Sequence, residues 1–134
     1  MLYGSQVDEP VMGPENGRYR SDVSMTVFLS PADSYDGGEL VIETEYGEQR
    51  VKLEAGDAVI YPSSSLHRVD PVTRGERMVA VAWAESMVRE PERRRLLFEL
   101  QQIEEQLRGI DADADVTRRT SRVRANLMRM WADV

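Results

Sequence analysis

From Val23 to Leu29 the chain alternates, with Val23, Met25, Val27 and Leu29 on one parity and Ser24, Thr26 and Phe28 on the other. A period of two marks a strand, because successive side chains leave a pleated backbone on opposite faces. The same reading predicts short strands at Tyr3–Val7, Leu40–Glu43, Gln49–Leu53, Ala58–Tyr61 and His67–Val69. A longer strand is predicted over Arg77–Glu85, where Val79, Val81 and Trp83 alternate with Met78, Ala80, Ala82 and Ala84. Turn-forming segments separate them: Ser30–Gly38, the hairpin signal Glu45-Tyr46-Gly47-Glu48, Ala55-Gly56-Asp57, the loop Pro62–Ser65, and Thr73-Arg74-Gly75-Glu76. Short strands with turns and no helices between them predict an antiparallel sandwich or barrel.

After Ser86 the period changes. Pro91 suits a first helical turn, and Leu96, Leu100, Ile103 and Leu107 follow at helical spacing until Gly109 stops the run. Asp111, Asp113 and Asp115 supply N-cap candidates and favourable charge for a second helix, whose apolar face is Val116, Val123, Leu127, Met130 and Trp131. The chain thus divides into a β-rich part, residues 1–86, and a C-terminal helical hairpin, residues 87–134. The hairpin's apolar faces must pack on each other, on the β-rich part or on another subunit. The arginines Arg118, Arg119, Arg122, Arg124 and Arg129 read as a solvated face or as partners for the acidic β-rich part.

Composition narrows the function. A chain of 134 residues, 41% hydrophobic, can bury a core without disulfides. The absence of cysteine removes thiolate metal sites and cysteine nucleophiles. The net charge of −7 is uneven, −8 over residues 1–60 and +1 over the remainder, so the first half would repel a phosphate backbone. No nucleic-acid partner is expected. No apolar run reaches a membrane span and no leader pattern opens the chain, so a cytoplasmic protein without membrane association is expected.

Three positions could carry chemistry. His67 is the single histidine, and by itself fits either a hydrogen-bonded structural residue or a ligand. Arg77 shares parity with Val79, Val81 and Trp83, so it pairs with an internal acid, reaches solvent at the strand end, or holds an organic carboxylate in its planar fork. Asp8, beside Glu9 and Pro10, reads as a loop acid. In a strand, however, Gln6 and Asp8 would share a face, and two ligands so spaced with a distant histidine form the facial triad of non-haem Fe(II) oxygenases. Ser63-Ser64-Ser65 lacks a nucleophile elbow, and Gly37-Gly38 lacks a nucleotide-binding context.

Five stretches carry a closer resemblance. They are Tyr3-Gly4-Ser5-Gln6-Val7-Asp8, Arg20–Ser30 (RSDVSMTVFLS), Tyr35–Ile42 (YDGGELVI), Tyr61–Val69 (YPSSSLHRV) and Val72–Arg77 (VTRGER). With the tail Ser86-Met87-Val88-Arg89 and Arg93–Phe98, the chain resembles the PKHD-type hydroxylases. These are prolyl 4-hydroxylase-like Fe(II)/2-oxoglutarate-dependent dioxygenases. The resemblance implies a mainly β fold with C-terminal helices: a double-stranded β-helix (jelly-roll or cupin-like) barrel plus an α-hairpin. It implies an oxidoreductase that binds iron through Asp8 and His67, takes 2-oxoglutarate as cosubstrate on Arg77, and is associated with ascorbate (vitamin C). Tyr3 is a further candidate for contacting the cosubstrate. Gln6 stands where the family has its first histidine ligand, and a carboxamide is a weaker donor to Fe(II) than imidazole, so impaired turnover is expected. Relative to the family the chain also lacks an N-terminal segment, as in a gene fragment, a misassigned start, or a shortened chain stabilised as a homodimer. The substrate is a small molecule or a protein. The alternative is a non-catalytic β-barrel that binds a small carboxylate or a protein partner.

Overall fold

The computed structural model describes residues 4–134, so Tyr3 lies outside the described residues. The chain divides between Glu85 and Ser86 into two compact units. In the first, strands β1 (Val11–Met12), β2 (Tyr19–Arg20) and β3 (Val23–Phe28) precede a short 3-10 turn at Ala32–Ser34. Then come β4 (Asp36–Gly37), β5 (Leu40–Thr44), β6 (Gly47–Val51), β7 (Ala58–Pro62), β8 (His67–Val69), β9 (Val72–Arg74) and β10 (Val79–Ala84).

All the pairings are antiparallel. One three-stranded sheet has the order β10-β3-β7 and a second the order β6-β5-β8. Two small ribbons, β1-β2 and β4-β9, complete the unit. The two larger sheets share a core in which Leu40 and Ile42 of β5 pack with Tyr61 of β7, flanked by Val51 and Val59. Burying a side chain such as Leu40 stabilises by about 1.5–3 kcal/mol. This is the double-stranded β-helix arrangement, with one correction to the expected barrel. Among the described residues the sheets do not close, because β10, β7, β6 and β8 are each paired along one side within their sheets. Closure needs a continuous ladder around the circumference.

Residue patterning explains much of this unit and misleads at one point. In β3 the buried positions are Ser24, Thr26 and Phe28, while Val23, Met25 and Val27 are only half-buried. The inner face carries hydroxyls because each finds a partner there. Ser24 bonds to Asp8 and Ser63, and Thr26 bonds to Tyr61. Leaving a buried hydroxyl without a partner costs free energy, which these contacts avoid. The predicted Tyr3–Val7 strand is reduced, among described residues, to a single bridge between Gln6 and His67. The predicted turn at Thr73–Glu76 begins inside β9, and Arg77 lies two residues before β10 rather than within it. Two-residue strands such as β4 and β9 leave no periodicity to read.

In the second unit, α1 (Pro91–Gly109) and α2 (Ala114–Trp131) form a helical hairpin. Pro91 opens α1 as expected, and the Asp113 side chain caps α2 by accepting from the Asp115 amide at 2.8 Å. α1 ends at Gly109 as expected, and the chain then reverses through Asp111 in the left-handed region (φ 51°). The one helical residue fully buried is Glu104, which receives two hydrogen bonds from Arg124 at 3.0 and 3.1 Å. Arg124 is therefore not part of a solvated face. No helix of the described residues is long and apolar enough to cross a membrane.

Candidate active site

Gln6 and His67 face each other across an antiparallel bridge. The Gln6 amide donates to the His67 carbonyl at 2.8 Å, and the His67 amide donates to the Gln6 carbonyl at 2.9 Å. Residues that exchange both bonds project their side chains to the same side. Two residues on, the Asp8 amide donates to the Ser63 carbonyl at 3.4 Å. The pairing thereby brings Gln6 and Asp8 together with the distant His67 on the wall of one cavity of about 250 Å³.

The His67 imidazole is buried, and its ring meets Tyr61 edge-on at 5.3 Å. Its Nδ1 lies 3.0 Å from the Ser65 carbonyl oxygen, which accepts, so the proton belongs on Nδ1. Nε2 is left as the basic nitrogen, 3.6 Å from Asp8 Oδ1. A histidine whose far nitrogen donates to a backbone carbonyl is oriented as metal-binding histidines are. The other Asp8 oxygen, Oδ2, accepts from Ser24 Oγ at 2.5 Å.

Arg77 lies on the same cavity wall, with Val79, Val81 and Trp83. Its guanidinium sits 5.7 Å above the Phe28 ring and interacts with the Tyr35 hydroxyl. Its buried Nε finds no hydrogen-bond partner among the described residues, and no carboxylate there pairs with it. Burial pushes its pKa below the usual arginine value, with Tyr35 acting in the opposite direction. Gly38 makes room for it. A Cβ at this glycine, whose φ is +68°, would come within 2.9 Å of Arg77 Cδ. The other arginine on the wall, Arg68, is already held by Glu48 at 2.8 Å and Asp70 at 3.1 Å. An unpaired cation at a cavity asks for an anion from outside.

The donor set fits a divalent cation in part. Asp8 Oδ1 and His67 Nε2 converge, and the orphaned Arg77 nitrogen fits the far carboxylate of a dicarboxylic acid. No group of three His, Cys, Asp or Glu side chains that could hold a metal occurs among the described residues, and Gln6 lines the same cavity as Asp8 and His67. Tyr61, Tyr35 and Ser24 belong to the site but were not singled out by sequence reasoning, and Ser63 was read there as a loop residue. Only three-dimensional pairing brings them there, although the hydroxyl parity of β3 was a visible hint. Burial pushes the Tyr61 pKa up, which keeps its phenol protonated; a hydrogen bond from Thr26 offsets part of this.

A carboxylate, an imidazole and an arginine without a carboxylate partner among the described residues thus share one cavity, on a fold of the kind found in the 2OG-Fe(II) oxygenases. Residues 2–85 match the model of the 2OG-Fe(II) oxygenase superfamily, and the chain belongs to that family. Along its whole length it is 71% identical to a PKHD-type hydroxylase of Thioalkalivibrio sulfidiphilus, of which it covers 60%. It is 50% identical to PKHD-type hydroxylases of a Polaromonas species and of Stenotrophomonas maltophilia, over 98% of this chain and 59% of each relative. The chain thus spans about three-fifths of the length of these relatives.

Proposed function

We propose that this chain carries the site of an Fe(II)- and 2-oxoglutarate-dependent hydroxylase. Asp8 and His67 are its metal ligands, Gln6 is a weak third donor, and Arg77 anchors the distal carboxylate of 2-oxoglutarate. The facing of Asp8 Oδ1 and His67 Nε2 at 3.6 Å, on a cavity that also presents unpaired Arg77, supports this most directly. The names of its relatives as PKHD-type hydroxylases support it further. When bound, Fe(II) and 2-oxoglutarate supply the oxidising chemistry that places an oxygen atom of O2 on a C–H carbon.

The chain's own residues prepare the site. Ser65 keeps the proton on His67 Nδ1, so that Nε2 offers its lone pair. Tyr61 shields the imidazole edge, and Arg77 supplies a planar fork for a carboxylate. Gln6 is the weak point, since its carboxamide brings neither charge nor imidazole basicity to a site otherwise supplied by one acid and one histidine. Turnover is accordingly impaired. Ascorbate belongs to this proposal as an auxiliary reductant, and a cytoplasmic setting as the source of 2-oxoglutarate. The substrate is a small molecule or protein rather than nucleic acid, given the −8 charge of residues 1–60. A homodimer is the proposed assembly.

Anaerobic titration with Fe(II) and 2-oxoglutarate tests the proposal. A weak visible charge-transfer band is expected for the natural chain and a stronger one for Gln6→His, with succinate formed on admitting O2. No band and no succinate from either protein would defeat it. The same Gln6 and Arg77 favour a second reading, a non-catalytic carboxylate-binding fold. It predicts 2-oxoglutarate binding that ignores iron and His67→Ala but disappears in Arg77→Leu.

A further inference from the structure

The Asp8 carboxylate does not stand alone against the cavity. Behind it lie two buried serines, Ser24 at 2% and Ser63 at 3% exposure. Ser24 Oγ lies 2.5 Å from Asp8 Oδ2 and 2.7 Å from Ser63 Oγ. A hydroxyl has a single proton to give. Ser24 gives its proton to the carboxylate, so in its contact with Ser63 it accepts and Ser63 donates. The chain of bonds therefore has one direction, from Ser63 to Ser24 to Asp8.

Its members are fixed by the backbone. Ser24 sits in the middle strand of its sheet, opposite Tyr61 on one side and Trp83 on the other. The Ser63 amide donates to the Asp22 carbonyl at 3.1 Å, and the Ser63 carbonyl receives the Asp8 amide. Ser63 thus touches Asp8 twice, once through its backbone and once through the hydroxyl chain.

We infer that Ser24 and Ser63 are positioning residues for the metal-side carboxylate, and that this hydroxyl pair sets the affinity of the chain for a divalent cation. The inference rests on the metal-binding reading above. The short bond to Oδ2 selects one carboxylate rotamer, the one that turns Oδ1 toward His67 Nε2. Without it the Asp8 side chain is free to rotate its carboxylate away from His67. The demand is greater here than in a site with two imidazoles. Gln6 is neutral, so Asp8 brings the only negative charge among the three donors, and its misplacement is not compensated. Outer hydrogen bonds to metal ligands typically change metal affinity about 10–100-fold.

Mn(II) binding to the full chain, followed by the electron paramagnetic resonance of the free ion and by calorimetry, tests this without relying on turnover. Ser24→Ala should weaken binding about 10–100-fold. Ser63→Ala should weaken it less, and the double variant should bind no worse than Ser24→Ala, because bonds in series do not add. Ser30→Ala is the packing control: its buried hydroxyl bridges the Glu76 carbonyl and the Met78 amide away from Asp8, and Mn(II) affinity should not change. Affinity retained in Ser24→Ala, additive losses in the double variant, or an equal loss in Ser30→Ala would overturn the positioning role while leaving the metal site standing. Absence of Mn(II) binding by both the natural chain and Gln6→His would overturn the metal reading, and this inference with it.

Discussion

Glu104 in the helical hairpin and Asp8 in the sheet unit are both sheltered carboxylates, and they are satisfied in opposite ways. Glu104 spends both oxygens on one guanidinium, Arg124, in a bidentate fork. Asp8 spends one oxygen on Ser24 and turns the other toward His67 and a cavity. The first arrangement is closed, with nothing left to bind. The second keeps one oxygen turned to the cavity. Arginines repeat the contrast, since Arg124 is paired while Arg77 keeps a buried nitrogen without a hydrogen-bond partner among the described residues. A protein that merely stabilised itself would close both centres. The open one marks where outside chemistry is expected.

Cutting each centre should separate stability from binding. Arg124→Met leaves Glu104 buried without its fork and should cost about 2–3 kcal/mol of unfolding free energy, below the range of about 3–5 kcal/mol for broken buried pairs because Arg124 is itself 39% exposed. The joint replacement Glu104→Leu with Arg124→Leu should come back to within about 1 kcal/mol of the natural chain. His67→Ala should cost only about 1 kcal/mol yet remove Mn(II) binding. Urea unfolding and calorimetry would show this crossing of effects; equal stability losses at both centres would erase the distinction.

Gly38→Ala comes next in size. Its φ of +68° and the 2.9 Å approach to Arg77 Cδ predict a loss of about 1–2 kcal/mol. Binding of 2-oxoglutarate should weaken as well, since the arginine must shift. Unchanged affinity at reduced stability would separate Gly38 from the carboxylate site.

The smallest effect is on pH dependence. Hydrogen bonds from Arg124 hold the Glu104 pKa below the ordinary glutamate value, against the opposing effect of burial. A carboxylate with a depressed folded pKa contributes stability that is complete above the unfolded value and lost as pH falls through the folded one. Acidification below the usual glutamate range should therefore weaken the hairpin, seen as loss of helical circular dichroism. In Glu104→Gln that part of the acid dependence should flatten.

Much of the architecture was legible in the chain because strand and helix periods are local. The alternation through Val23–Leu29 and the helical spacing of Leu96, Leu100, Ile103 and Leu107 gave the main elements. Asp8, His67 and Arg77 were legible as candidates from motif spacing, and the structure brings all three to one cavity. What the sequence hid was pairing. The alternation in β3 does not say which face is inner; the contacts of Ser24 with Asp8 and Ser63 do. No local pattern singles out Glu104, which is buried by its pairing with Arg124. Such contacts join residues 16 to 39 positions apart, beyond the reach of any local period.

The bridge between Gln6 and His67 has a consequence beyond geometry. Because the backbone of residue 6 is fastened by two main-chain bonds, its location does not depend on which side chain it bears. In the genetic code glutamine and histidine share their first two bases, so one third-position change exchanges a carboxamide for an imidazole at an unmoved address. Exchange of glutamine for histidine at this position is thus a single heritable step that demands no refolding.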